Sequence, residues 1–462
     1  MKVPLIATVS HRTIDLRDGS QKVKIYRNGQ AEAIKSPFIP YYYTADEKGE
    51  EYKTIASDKK IKLSKHNYVP QRDAVPPNAL YDGGREALLE RLCIEHPDFF
   101  TGFPNTDDVK SLVFDIETHS PDGGFPFGEK YPVVAIGIVT STGEREVLLW
   151  DGEDDRNVIL KFAEYIHDYD PDIVCGYNLV GYDIPQILHR ARFHGLKGYK
   201  KILNRDNSNW GWDTPENQKE LKMYAGGRII LDLLRWTRLD YSLSGIPRGL
   251  KSVAKNFGLS PIELDFATKD LLDYSMDEIN EYVLSDVDAT MYLFNHYFPQ
   301  IQYISETLGV PLATYTNAPP SYITKILQGR SLFQQRIVTL DRNKERHPEI
   351  YKADKGNYQA AHIELYQPGF HERNIKVDFS AFYPSISMAL NLGPDTTQIV
   401  GYDDYDEKLE EKDGILYIPD IKVGKRVMVK IDHSVKSCLY EMCSVFKEMR
   451  KPYKLGSTKE DK

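Results

Sequence analysis

Asp115 and Glu117 stand two residues apart in the apolar run Ser111-Leu112-Val113-Phe114-Asp115-Ile116-Glu117-Thr118. The run reads as a β-strand. Strand side chains alternate between faces, so both acids point one way while Phe114 and Ile116 point the other. Two carboxylates held side by side at the end of a buried strand repel each other and lose hydration. Cations bridging them remove both penalties, and an all-oxygen ligand set suits Mg²⁺ or Mn²⁺. The same run also admits a plainer reading, a strand end carrying two solvated acids.

A second set of carboxylates lies in the segment Met276–Phe298, whose apolar spacing predicts a helix. Ser275 and Glu278 have the capping-box pattern at its start. Ile279, Tyr282, Val283, Asp286 and Val287 then fall on one stripe, which puts Asp286 on an otherwise apolar face one turn after Tyr282. A buried acid needs a partner, and a metal ion or a bound water serves; taken alone, Asp286 also reads as a rim carboxylate. Asp288 is expected on the opposite, solvated face. A third element is Cys175-Gly176-Tyr177-Asn178-Leu179-Val180-Gly181-Tyr182-Asp183-Ile184-Pro185, a buried strand, a short turn and an acid that opens a helix. Asp183 there is either a helix N-cap or a group at the carboxyl end of a central strand, where α/β domains bind ligands.

The elements that must position these acids follow from the pattern around them. Strands are predicted at Ser111–Asp115, Val133–Thr140, Glu144–Trp150, Ile173–Tyr177 and Arg228–Leu234. A helix is predicted at Asn157–His167, with Ile159, Phe162, Ala163 and Ile166 on one face, and another from Ile184. Strands followed by alternating helix and strand indicate a mixed α/β fold over residues 109–310. Residues 1–108 read as a β-rich module, with strands at Val23–Tyr26 and Phe38–Thr44 and a short helix at Arg85–His96. Residues 204–220 read as a loop, residues 311–357 as helical and then linker-like, and a further region begins at Tyr358.

The chain has 462 residues, 41% hydrophobic and 27% charged, which excludes global disorder and leaves room for several domains. Its net charge of −9 argues against an all-basic surface, yet a local groove can be basic while metal-binding acids make the sum negative. The runs Lys59–Lys65 and Lys197–Arg205 are basic, as either such a groove or ordinary solvated faces. Cys93, Cys175, Cys438 and Cys443 form no CxxC pair, so a zinc ribbon or disulfide framework is not indicated, and a reducing cytoplasmic setting is expected. No apolar run approaches membrane-spanning length, so no membrane partner is expected.

Phe114-Asp115-Ile116-Glu117-Thr118, Tyr177-Asn178-x-x-x-Tyr182-Asp183 and Tyr282-x-x-x-Asp286 resemble, in order and rough spacing, the three exonuclease motifs of family B DNA polymerases of archaeal and viral type. Gly227-Arg228-Ile229-Ile230-Leu231-Asp232 also looks like the family, with Asp232 read as structural support. The resemblance implies an RNase H-like 3′→5′ proofreading exonuclease over residues 109–310. Asp115, Glu117, Asp183 and Asp286 would bind two Mg²⁺ or Mn²⁺ ions. Tyr282 would orient the attacking water or the scissile phosphate, and Asn178 and Tyr182 would contact the DNA.

Val377-Asp378-Phe379-Ser380-Ala381-Phe382-Tyr383-Pro384-Ser385-Ile386 is similar to the family's first palm motif. By that resemblance Asp378 and the Phe379 carbonyl would hold the polymerase metals. The backbone N–H groups of Ala381 and Phe382 would face a triphosphate, as a turn into a helix presents free donors. Tyr383 would sit under the sugar. Lys447–Lys454 resembles the first fingers helix, with Arg450 and Lys454 one turn apart and able to reach the γ-phosphate. Residues 358–435 thus read as a partial palm and 436–462 as the start of the fingers. The family's Lys-x-x-x-Asn-Ser-x-Tyr-Gly helix and Asp-Thr-Asp-Ser turn do not occur. Asp403-Asp404-Tyr405-Asp406 does not replace the latter, being read as a charged loop. Tyr358-Gln359-Ala360-Ala361 stands where the family carries Tyr-x-Gly-Gly, so Tyr358 takes the place of a DNA-contacting tyrosine without the glycines that let a backbone approach DNA.

One palm carboxylate cannot hold two metals for in-line transfer. The expectation is therefore an amino-terminal polymerase portion, competent as an exonuclease and acting on single-stranded 3′ ends and primer-template. It would use deoxynucleotides only together with a second polymerase chain or with the remainder of a longer protein. A prokaryotic cell or a virus-infected host is the expected setting, and a sliding clamp is a further candidate partner. The competing readings are a stand-alone exonuclease with a palm remnant and a non-enzymatic DNA-binding scaffold.

Overall fold

The computed structural model of the chain describes residues 8–14, 21–27, 30–54, 57–70, 72–81, 88–102, 109–120, 122–198, 201–205, 225–266, 268–318, 320–339, 369–370, 372, 375, 381–420 and 424–455. Two compact units do not follow chain order. One gathers residues 1–13, 21–36 and 97–319; the other gathers 14–20, 37–96 and 320–462.

The first unit opens with a three-stranded sheet of β1 (Thr8–Ile14), β2 (Gln21–Arg27) and β3 (Gln30–Lys35). In the second, β4 (Tyr41–Thr54) and β5 (Ser57–Asn67) form an antiparallel pair, followed by helix α1 (Leu88–Glu95). Lys60 of the basic run on β5 is ion-paired with Glu51, and the Arg205 guanidinium is buried against Asp170 and Asp172. These two cations serve the fold.

The acids belong to the five-stranded sheet of the first unit. β6 (Ser111–Thr118), β7 (Val133–Thr140) and β8 (Arg145–Leu149) run antiparallel in succession. Helix α2 (Arg156–Tyr169) leads to β9 (Ile173–Gly176), helix α3 (Asp183–Phe193) follows, and β10 (Ile229–Asp232) completes the order β10-β9-β6-β7-β8. β9 pairs in parallel with both β6 and β10, as strands joined by helical crossovers do. Phe114 and Ile116 pack with Ile159, Phe162 and Ile166 of α2 and with Ile184 and Ile187 of α3. On α2 it is Val158, with Ile159, Phe162 and Ile166, that is buried, while Ala163 is half-buried. The segment predicted as strand to Leu234 turns into helix α4 (Leu233–Leu239) because the Asp232 carboxylate caps it, accepting from Leu234 N at 3.0 Å.

Helix α5 (Leu250–Asn256) precedes the long helix α6 (Met276–Leu308). The capping box forms as the spacing predicts: Glu278 N donates to Ser275 Oγ at 3.3 Å, and Ser275 N to Glu278 Oε2 at 2.8 Å. The helix outruns its predicted end at Phe298 and continues through Pro299 to a left-handed Gly309. Buried Ile301, Ser305 and Leu308 extend the packed stripe, so burial outweighs the one hydrogen bond that proline removes. Helix α7 (Leu312–Tyr315) follows.

In the second unit, helix α8 (Pro320–Gln334) leads to β11 (Ile337–Val338), which pairs in parallel with β4. The stretch predicted as helical and then linker-like thus also supplies a strand. Helix α9 (Phe382–Ala389) is followed by a four-stranded antiparallel sheet of β12 (Thr397–Asp404), β13 (Glu410–Lys412), β14 (Ile415–Asp420) and β15 (Lys425–Ile431). Asp403 and Asp404 end β12 and do not lie in a charged loop; Asp403 faces Arg426, its register partner, at 2.5 Å. Helix α10 (Cys438–Leu455) runs through Pro452. All four cysteines are buried and unpaired. Among the described residues no helix is long and apolar enough to cross a membrane.

Candidate active site

Alternation along β6 turns Asp115 and Glu117 away from the α2/α3 face. On that other face lies α6, whose Ile279, Tyr282 and Val283 pack with Val134 and Ala135 of β7. The helix comes close because Gly137, the register partner of Asp115, has no side chain: a Cβ there would lie 2.4 Å from Val283 Cγ1 and 3.1 Å from Val287 Cγ1. This approach sets Asp286, one turn beyond Tyr282, beside the β6 acids. Carboxylate oxygens of Asp115, Glu117 and Asp286 lie within 4.8 Å of one another.

Asp183 reaches the same place from the other side of the sheet. It is the first residue of α3, and Tyr182 holds the N-cap position with no side-chain cap bond. The N-cap reading of Asp183 therefore gives way. Its carboxylate turns to β6, where it accepts from Ile116 N at 3.2 Å and lies close enough to Asp115 for its charge to raise that carboxyl. The turn that delivers it is fixed by Asp232, 5% exposed, which accepts from Asn178 N at 3.0 Å and Val180 N at 2.9 Å as well as from Leu234 N. Asn178 is held at φ +63°, a left-handed conformation that asparagine tolerates. Asp232 thus acts on the backbone, as its reading as structural support anticipated.

The electrostatics are those of a site short of positive charge. Burial, then the charges of Asp183 and Asp286, push Asp115 well above the usual carboxylate range. Burial followed by Asp115 and Asp286 does the same to Glu117. Burial and the Asp232 charge raise Asp183 to about 8, and burial raises Asp286 to about 6 against the opposing pull of Lys251. The Lys251 ammonium lies 3.3 Å from Asp286 Oδ2 and 3.7 Å from the centre of the buried Tyr282 ring. Asp286 Oδ1 is buried with no hydrogen-bond partner among the described residues. Four acids facing one lysine, with one acid oxygen orphaned, form a donor set that fits hard divalent cations.

Lys251 was missed by sequence reasoning. Its only local signal is its place one residue into the short helix α5, and nothing there points to Asp286, 35 positions away. Asp288, expected on the solvated face, is accessible there and pairs at the surface with Arg145 of β8 at 3.0 Å. The candidates from Tyr358 onward belong to the second unit. Asp378, Phe379 and Tyr358 lie outside the described residues. Ala381, at φ +50°, N-caps α9; Phe382 and Tyr383 are 45% and 75% exposed. Arg450 is exposed on α10, which also carries Lys454.

Comparison with known proteins bears on this arrangement. The profile described as "DNA polymerase family B, exonuclease domain" matches residues 140–253, and the one described as "DNA polymerase family B" matches residues 322–461; together they span more than half of the chain. The first match includes Asp183 and Lys251, while the acids of β6 and α6 lie outside its bounds. DNA polymerase 2 of Aeropyrum pernix is 28% identical over 298 residues, covering 62% of this chain and 34% of its own length. The DNA polymerase of Thermococcus litoralis is 24% identical over 452 residues, covering 84% of this chain and 25% of its own. The chain thus spans a quarter to a third of the length of these relatives. The solved structure of the family B DNA polymerase from the hyperthermophilic archaeon Pyrobaculum calidifontis has the same fold at a TM-score of 0.63 and 20% identity, over 97% of this chain and 63% of that one. Both profiles, the relatives and the shared fold agree with the three ordered motifs: the chain belongs to DNA polymerase family B.

Proposed function

We propose that the carboxylate site is a 3′→5′ exonuclease that shortens a single-stranded DNA 3′ end, the proofreading half of a family B polymerase. The observation that carries this reading is the convergence of Asp115, Glu117 and Asp286 within 4.8 Å, with Asp183 anchored beside them on Ile116 N of β6. The orphaned Asp286 oxygen and the upward-shifted acids fit a pair of Mg²⁺ or Mn²⁺ ions. Such ions, when bound, supply an activated water and neutralise charge on the departing 3′ oxygen. Asp115, Glu117, Asp183 and Asp286 would hold them from three separate elements, so that no single loop motion opens the site.

The chain's own groups do the rest. The Tyr282 hydroxyl orients the attacking water or the scissile phosphate. Lys251 fixes Asp286 and adds a counter-charge for the phosphate. Tyr182 stands next to Asp183 with Phe125 and Phe127 around it, ring centroids 5.6 and 6.0 Å away, and offers faces on which unpaired bases stack. Asn178 contributes to the DNA-contacting rim. In the polymerase half, Asp378 and the Phe379 carbonyl would hold metal, while Ala381, Phe382, Arg450 and Lys454 would take the triphosphate. Tyr383 would pack on the sugar, and Tyr358 would contact DNA. No second palm carboxylate motif occurs in these 462 residues. Synthesis from deoxynucleotides on primer-template therefore calls for palm acids from a second chain or from further sequence, and a sliding clamp would act on that whole assembly.

The test is degradation of a mispaired primer by the purified chain with Mg²⁺ or Mn²⁺. Degradation from the 3′ end is expected, and Asp115→Ala should abolish it. Activity that survives the substitution would assign the hydrolysis elsewhere.

A further inference from the structure

Helix α3 carries more than Asp183. The segment joining β6 to β7, residues 119–132, closes on itself, with His119 N donating to Pro132 O at 3.0 Å, in the manner of an Ω-loop. At its tip Phe125 and Phe127 are 74% and 39% exposed. Three side chains at i, i+4 and i+8 hold this loop. Tyr182 Oη donates to Pro126 O at 2.8 Å. Gln186 Oε1 accepts from Gly128 N at 2.7 Å, and its Nε2 donates to Gly128 O at 3.1 Å and to Tyr131 O at 2.6 Å. Arg190 donates to Glu129 O while two of its other nitrogens grip the buried Asp155, each at 2.7 Å.

Gln186 is the telling member. It is 0% exposed, and all three of its side-chain hydrogen bonds go to the loop backbone. A buried amide is tolerated only when satisfied, so this one fits a single loop geometry and penalises others. Gly128 adopts φ +113°, a conformation that suits glycine, and lets both of its peptide groups meet that amide.

We propose that Gln186 is a positioning residue for the exonuclease reaction: through the 119–132 loop it fixes the Phe125–Phe127 aromatic wall relative to Asp183, so that terminal bases stack where the scissile phosphate meets the acids. This rests on the exonuclease reading above. One helix then sets the distance between base-holding wall and metal-binding acid, as a supporting shell does for a site that tolerates little play.

The test compares the full chain with its Gln186→Leu variant, using Mn²⁺ and two single-stranded oligonucleotides. One ends in thymidine nucleotides and the other in a stable abasic analogue. The native chain is expected to show a KM about 10-fold lower for the base-bearing strand, the size of a single stacking contact. Gln186→Leu should bring that ratio close to one, with kcat on the abasic strand held within about 2-fold. An unchanged ratio in a folded variant overturns the proposal, as does a native chain that takes both strands with equal KM, an outcome that leaves the exonuclease reading standing. A native chain that degrades neither strand removes both. Should the leucine variant not fold, Gln186→Glu, which keeps the acceptor and loses both donations, reads the same ratio.

Discussion

Asp286→Asn should stabilise the metal-free protein at pH 8. Burial lifts this carboxyl from its ordinary 3.8 to about 6 in the folded chain. Between those values the folded state binds more protons than the unfolded chain, so stability falls as pH rises through the window, and the full penalty applies above it. About two pH units at about 1.4 kcal/mol each give roughly 3 kcal/mol, a figure that already contains the opposing attraction to Lys251. For a body of this size that corresponds to a rise of about 5–10 °C in melting temperature. The assay is thermal unfolding in EDTA followed by tryptophan fluorescence. It reports the first unit alone, because Trp150, Trp210, Trp212 and Trp236 all lie within residues 97–319. The gain should be largest at pH 8 and nearly absent at pH 4. Saturating Mn²⁺ should stabilise the native chain more than the variant, closing or reversing the gap. An equal or lower melting temperature for Asp286→Asn at pH 8 in EDTA would falsify the description of these acids as a cluster short of cations.

Other consequences follow from the same geometry. Asp183→Ala should lower exonuclease turnover about 100-fold or more while leaving far-UV circular dichroism unchanged, since the residue lost holds charge rather than packing. Gly137→Ala forces a methyl into Val283; the expected cost is about 1–3 kcal/mol in urea unfolding, with a parallel loss of activity as α6 moves Asp286 off the β6 acids. Asp232→Ala orphans three backbone N–H groups, and a loss of about 3 kcal/mol or more should appear in the same unfolding assay, with Asp232→Asn milder. Asp155→Ala strands the buried Arg190 guanidinium and should cost about 3–5 kcal/mol.

Much of the site was legible because its logic is local. Alternation along a strand decides that Asp115 and Glu117 share a face, and helical spacing with a capping box decides that Asp286 follows Tyr282 on a buried stripe. The local pattern falls short where a distant partner outvotes a local preference. Asp183 admits two readings by sequence, an N-cap or a group at a strand end, and the fold selects the second, its carboxylate meeting Ile116 N on a neighbouring strand. Pro299 looks like a helix end, and the packed stripe carries the helix past it. Asp403 and Asp404 read as part of a charged loop, and the register with β15 makes them the end of a strand.

The order of carboxylates along the chain, their faces and their kinship with family B polymerases were written in residue types and spacing, because φ/ψ periodicity and motif order are properties of a linear string. Whether those acids meet was a matter for the folded chain. Gly137 lets α6 settle on β7, Asp232 bends the turn before α3, and Lys251 arrives from a helix with no sequence tie to Asp286. Each is a contact between segments tens of residues apart, and the charge balance of the site, which sets its demand for cations, exists only once they are made.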